Sequence, residues 1–213
     1  MDGLIFNTED IYTLVGTELM RRRGREFSDA LKDAVMGLSP RATFETMIRW
    51  HALSDTWEAM REESNEVFIG LFPGHLRIMP GLVELLDALE TAGIPKSIAT
   101  GSGRKLAEVC LASFALAERF RFVLTADEIT HGKPHPEIYL TAAKRLALRP
   151  QEILVLEDSR NGCLAAAEAG AFAVAVPGQH SRDQDFSAAA LVIDHLADRR
   201  LYEVLGIGPT PSE

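Results

Sequence analysis

The sequence has little cysteine, few aromatic residues and no long apolar run, and each shortage narrows what the chain can be. Cys110 and Cys163 are the two cysteines in 213 residues, and both fall in helix-like segments. No disulfide framework is expected from them, and a reducing, cytoplasmic setting is. No apolar stretch approaches the roughly 18 residues of a membrane span. The first residues also lack the basic, apolar, small-residue order of a secretory signal. Basic residues are outnumbered 22 to 31, for a net charge of −9, which argues against a nucleic-acid partner. What the chain does have is 46% hydrophobic residues, enough for a packed core and too many for intrinsic disorder. Its length points to one large domain or to a core carrying an insertion, with a monomer as the default state.

Two textures follow one another. From about Asp10 to Leu76 the pattern is helical throughout, as small-period stripes such as Leu14, Val15, Leu19, Met20 and Phe44, Met47, Ile48 indicate. Ser39-Pro40 reads as a helix entry, because proline is tolerated in the first turn. About four helices are expected in this block, with Trp50 and Trp57 in its core. The basic run from Arg21 to Arg25 reads as a solvated helix end. After Met79-Pro80-Gly81 short apolar runs alternate with helical stripes: strands at 94–99, 122–125, 153–156 and 172–176, with a last one at 191–193. Helices fall at 82–92, 105–114, 136–146, 161–168 and 198–205. Such alternation predicts an α/β fold whose doubly wound parallel sheet is covered on both faces. A short proline-rich tail holds Pro209 and Pro211.

Ligands of doubly wound sheets bind beyond the carboxyl ends of the strands, so the residues there carry the chemistry. Thr100-Gly101-Ser102-Gly103 follows the first strand, placing hydroxyls and glycines before a helix where backbone N–H groups can hold a phosphate; an ordinary glycine turn with a serine cap has the same look. Glu157-Asp158 follows the third strand. Adjacent carboxylates at a buried strand end repel each other and call for a cation, whereas a helix cap needs only one. Between them His131-Gly132-Lys133-Pro134-His135-Pro136 forms a proline-stiffened loop that would aim Lys133 in a defined direction. His131 and His135 read as loop histidines, since no cysteine or histidine stands at metal-site spacing from them. Asp2-Gly3 by itself marks a turn, and with the other sites adds a carboxylate to the same crevice.

These four sites in this order resemble the haloacid dehalogenase-like superfamily, over nearly the whole chain. The likeness is greatest to its β-phosphoglucomutase, sugar-phosphatase and pseudouridine-5′-phosphatase group with an inserted helical cap. The residues from Met1 to Glu9 resemble the tail of the opening motif Asp-x-Asp-Gly-x-x-x-Asp-Thr/Ser, with Asn7 in the place of its later aspartate. Thr100, the Gly-Lys-Pro-x-Pro around Lys133, and Glu157-Asp158 match the other three motifs. The resemblance implies a Rossmann-like core of residues 1–9 and 78–213 and a helical cap of residues 10–77. It implies Mg²⁺-dependent hydrolysis of a small phosphorylated metabolite through an aspartyl-phosphate. Asp2 would be the general acid/base, and its backbone carbonyl, Asp158 and Glu157 would hold Mg²⁺. Thr100, Gly101, Ser102 and Lys133 would hold the phosphoryl group.

The nucleophilic aspartate of the motif, and the central strand that carries it between residues 94–99 and 153–156, fall before Met1. The expectation is that Met1 is an internal methionine of an Asp-Met-Asp-Gly motif, and that the chain without that strand is inactive. The rivals are a phosphosugar mutase and a non-catalytic phosphometabolite-binding protein. Tyr12 stands where the mutase group uses a histidine, and Pro40-Arg41 straddle its phosphate-gripping arginine. A dehalogenase is disfavoured because Asp2 is present.

Overall fold

The computed structural model describes residues 1–36 and 38–208; Pro209 and Pro211 lie outside the described residues. The chain divides into two compact units, one of Met1–Phe6 with the chain from Ile78 onward, the other of Asn7–Arg77.

The smaller unit is helical: α1 (Thr8–Arg22), α2 (Asp29–Val35), α3 (Pro40–His51) and α4 (Trp57–His75). Three of these helices start on hydroxyl caps. Ser28, Ser39 and Thr56 accept from the backbone N–H groups of Leu31, Ala42 and Ala59, and Pro40 opens α3 as anticipated. Ile11, Val15, Leu19 and Met20 of α1 are buried together with Met60 and Phe68 of α4. Leu14 is exposed, because the buried stripe of α1 runs through Ile11 instead. Trp50 is also a correction: it is 48% exposed, lying off the Phe44–Met47 stripe near the end of α3. Trp57 is half-buried and stacks under the Arg41 guanidinium at 5.5 Å. The basic run is spent on structure. Arg21 and Arg22 bind Glu18, while Arg23 bridges Asp55 at 2.6 Å and Glu63 at 2.7 Å.

The larger unit alternates strands and helices. α5 (Leu82–Thr91) turns on Gly93 at φ +68 into β1 (Ile98–Ala99), followed by α6 (Arg104–Ala112) and β2 (Val123–Leu124). Then come α7 (Glu137–Leu146), β3 (Leu154–Glu157), α8 (Arg160–Ala169), β4 (Phe172–Ala175), β5 (Leu191–Val192) and α9 (Arg199–Leu205). The pairings among these five strands are parallel. Val155, Ala173 and Leu124 meet Ile138 and Tyr139 of α7 and the alanines of α8, whose small side chains let that helix lie close on the sheet.

Among the described residues the sheet is in two pieces, β1-β2 and β3-β4-β5. Ile98 and Thr100 send their N–H groups to Phe122 and Leu124, so Ala99 between them turns its backbone to the opposite edge. Ile153 and Glu157 offer their carbonyls to β4, so Leu154 and Leu156 likewise turn away from it. Those two edges border one cavity of about 670 Å³, lined by Met1, Ile5, Leu86, Ile98, Val155 and Leu156 among others. The strand expected over 94–99 shortens to two residues because it has a ladder on one side only.

Cys110 and Cys163 lie buried on α6 and α8, as free thiols. Burial pushes both thiols up to about 12, with the charges of Asp2 near Cys110 and of Glu157 and Asp158 near Cys163 adding to the shift. The native protein at pH 8 therefore keeps both protonated and will resist iodoacetamide. Two equivalents of alkylation should appear only on unfolding in urea, and rapid native labelling would contradict the burial.

Candidate active site

The site is assembled at the carboxyl ends of β1 and β3. Thr100 directly follows β1 and is 1% exposed. Its hydroxyl donates to Asp2 Oδ2 at 3.2 Å and accepts from the Ser102 N–H at 3.1 Å. The Ser102 hydroxyl donates to the same Asp2 oxygen at 2.7 Å. The Asp2 carboxylate is thus gripped on one oxygen by both hydroxyls of the loop. Its other oxygen, Oδ1, is buried with no hydrogen-bond partner among the described residues. An orphaned carboxylate oxygen costs free energy unless it meets a cation, a proton or a ligand. Gly101 is exposed beside this pair, and a Cβ there would meet open space.

Gly3 bends the chain at φ +63 and brings the Asp2 backbone against the end of β3. A Cβ on Gly3 would lie 2.2 Å from Asp158 Oδ2, so glycine is needed both for the turn and for the approach. Asp2 and Asp158 are thereby brought to neighbouring places on the crevice wall.

Glu157 is the most enclosed carboxylate of the crevice. It is 5% exposed, with Oε1 accepting from Lys133 Nζ and the Tyr139 hydroxyl and Oε2 accepting from the Ser159 hydroxyl at 3.1 Å. Burial works against its ionisation, but the Lys133 ammonium and these hydrogen bonds hold its carboxyl below the usual range. Burial and the same carboxylate push the Tyr139 phenol well above its ordinary value, so it serves as a donor. The side-chain oxygens of Asp2, Glu157 and Asp158 do not form a three-carboxylate cluster among the described residues, and Glu157 is turned toward Lys133. Lys133 Nζ also lies 3.5 Å from the Ala99 carbonyl, which sets it at the mouth of the β1–β3 gap.

Sequence reasoning missed Tyr139, Ser159 and Gly162. Ser159 caps α8 by accepting from the Gly162 N–H at 3.1 Å, and a Cβ on Gly162 would land 1.9 Å from Glu157 Oε2. The Asp-Ser-x-Asn-Gly spacing after β3 carried a signal for the serine and glycine. Nothing in the sequence marked Tyr139.

The residues present suit a small hard cation. The crevice offers carboxylate oxygens, Asp2 Oδ1 lacks a partner among the described residues, and Lys133 is committed to Glu157. Gly3→Ala should lower the free energy of urea unfolding by about 1–3 kcal/mol. Gly24 shares its φ, at +62, with open space around it, so Gly24→Ala isolates the turn penalty alone. Equal losses for the two variants would show that the Asp158 contact carries no weight.

Residues 1–176 match the family described as haloacid dehalogenase-like hydrolase. A Drosophila melanogaster protein named "Probable pseudouridine-5'-phosphatase" is 32% identical over 206 residues, 93% of this chain and 88% of that protein. The (DL)-glycerol-3-phosphatase 2 of Arabidopsis thaliana is 31% identical over 206 residues, 93% of this chain and 85% of that protein. Among solved structures, CbbY from Rhodobacter sphaeroides in complex with phosphate superposes with a TM-score of 0.82 at 24% identity, covering 93% of this chain and 92% of that one. The matched residues span the strand ends that build the crevice, and the chain belongs to the haloacid dehalogenase-like hydrolases as an enzyme of their phosphatase type.

Proposed function

We propose that this chain forms the binding and proton-transfer machinery of a Mg²⁺-dependent hydrolase of a small phosphorylated metabolite, a sugar phosphate or nucleotide-like monoester. The observation that carries the reading is the convergence of Asp2, Thr100, Ser102, Lys133 and Asp158 at one crevice beside the cleft between β1 and β3. Phosphatase names among the relatives, including the Thermotoga maritima phosphorylated carbohydrates phosphatase at 28% identity, point the same way.

In this reading Thr100, Ser102 and the N–H groups around Gly101 receive the phosphoryl oxygens at the start of α6. Lys133 offsets their charge while Glu157 keeps its stem extended into the crevice. The Asp2 backbone carbonyl and the Asp158 carboxylate would hold Mg²⁺, which offsets the repulsion between phosphate and carboxylates when bound. Asp2 is the general acid/base: it protonates the leaving alcohol oxygen and afterwards takes a proton from the attacking water. The attacking carboxylate belongs to an aspartate ending an apolar strand seated between β1 and β3, where both backbone edges and the apolar lining suit an extended segment. Its oxygen bonds to phosphorus as the ester oxygen leaves, and water then releases inorganic phosphate and restores the carboxylate.

The test extends the chain ahead of Met1 with about six apolar residues ending in Asp. Phosphate release is then followed with MgCl₂ and a panel of sugar, nucleoside and aryl phosphates. The extended protein should hydrolyse at least one of them, with EDTA abolishing turnover. Asp2→Asn should lower kcat by about 10²–10⁴. No release by the folded, extended protein across the panel overturns the proposal, and conversion of glucose 1-phosphate without phosphate release assigns a mutase instead.

A further inference from the structure

The loop that carries Lys133 holds a second group of ligating side chains, which the crevice does not use. His131 Nδ1 lies 2.9 Å from Glu137 Oε2, and His135 Nδ1 lies 4.0 Å from the same oxygen. The two imidazole rings face each other with centroids 4.5 Å apart, tilted by 34°. One ligand atom from each of the three residues falls within 4.8 Å of the other two, and this is the one such trio among the described residues. Two ligand atoms bound at about 2.1 Å to one tetrahedral ion stand about 3.4 Å apart, so the trio needs only small rotations to meet around a single ion.

Three features favour a ligand set over an incidental surface cluster. Glu137 is fixed before any ion arrives, because its oxygens accept from the Thr130 N–H at 2.7 Å and the His131 N–H at 2.8 Å. Both histidine side chains are open to solvent, at 61% and 50% exposure, so an ion has a free approach and can keep water in its remaining positions. Pro134 and Pro136 restrict the backbone between the ligands, which reduces the entropy lost when they close on an ion.

We propose that His131, His135 and Glu137 form a surface site for a borderline divalent ion of the Zn²⁺ class, separate from the carboxylate crevice. Two imidazoles and one carboxylate suit zinc, cobalt, nickel or copper and not magnesium, which keeps oxygen ligands. The ion takes the position of the proton between His131 Nδ1 and Glu137 Oε2, and the neutral imidazole then carries its proton on Nε2. Sequence spacing hid the site, because its third ligand is a glutamate two residues beyond His135. Lys133 sits between the two histidines, so an ion here would fasten the segment from which the crevice lysine projects.

Isothermal titration with ZnCl₂ in excess MgCl₂ tests the proposal, and the site does not depend on the phosphatase reading. Wild-type protein should bind one Zn²⁺ with a dissociation constant of about 1–100 μM. His131→Ala and His135→Ala should each weaken binding about tenfold or more. Asp158→Asn, which alters the crevice, should leave the affinity in place. No binding up to about 1 mM overturns the proposal, as does binding that survives both histidine substitutions or is lost in Asp158→Asn.

Discussion

The larger unit is organised around one buried carboxylate. Glu157 ends β3 out of reach of solvent and could not stay ionised there alone. It is held by the ammonium from the loop before α7, by a phenol from α7 itself, and by the hydroxyl that caps α8. Three separate segments are therefore tied to the end of one strand. Gly162 completes the arrangement, because any side chain there would occupy the space of the carboxylate. The energetic point is asymmetric. Such a pair contributes little net stability when intact, yet removing either partner leaves an uncompensated charge at a cost of about 3–5 kcal/mol. The geometry of the crevice inherits its definition from this constraint.

Asp2 meets the opposite condition. One of its oxygens is fully engaged and the other has no partner among the described residues. A carboxylate so placed is oriented but unsatisfied, which is the state required of a group that exchanges a proton or faces a cation during turnover. The two acidic residues thus differ in how they are satisfied: Glu157 has partners on both oxygens, and Asp2 on one among the described residues.

Much of this could be read from the sequence, for physical reasons that differ by element. The helices of the larger unit were plain because Leu82, Leu85, Leu86 and Leu89 repeat at helical spacing and Gly93 stops them. Strand positions were plain for β3 and β4, where apolar runs are continuous. Strand length was not, because β1 depends on a neighbour that periodicity does not reveal. At the site, Thr100, Ser102 and Asp2 were identifiable as strand-end groups that converge. The inward turn of Glu157 was not, since Tyr139 contributes through tertiary packing and has no local signature. Trp50 was misplaced for a related reason: bulk and hydrophobicity suggest a core residue, but its angular position on α3 puts it outside the stripe of Phe44 and Met47.

The cleft between β1 and β3 has a consequence for how the molecule behaves in company. Ala99 on one side, and Leu154 and Leu156 on the other, direct backbone donors and acceptors into an apolar space. Parallel edges of this kind are templates for any extended apolar segment, whether from the same molecule or another.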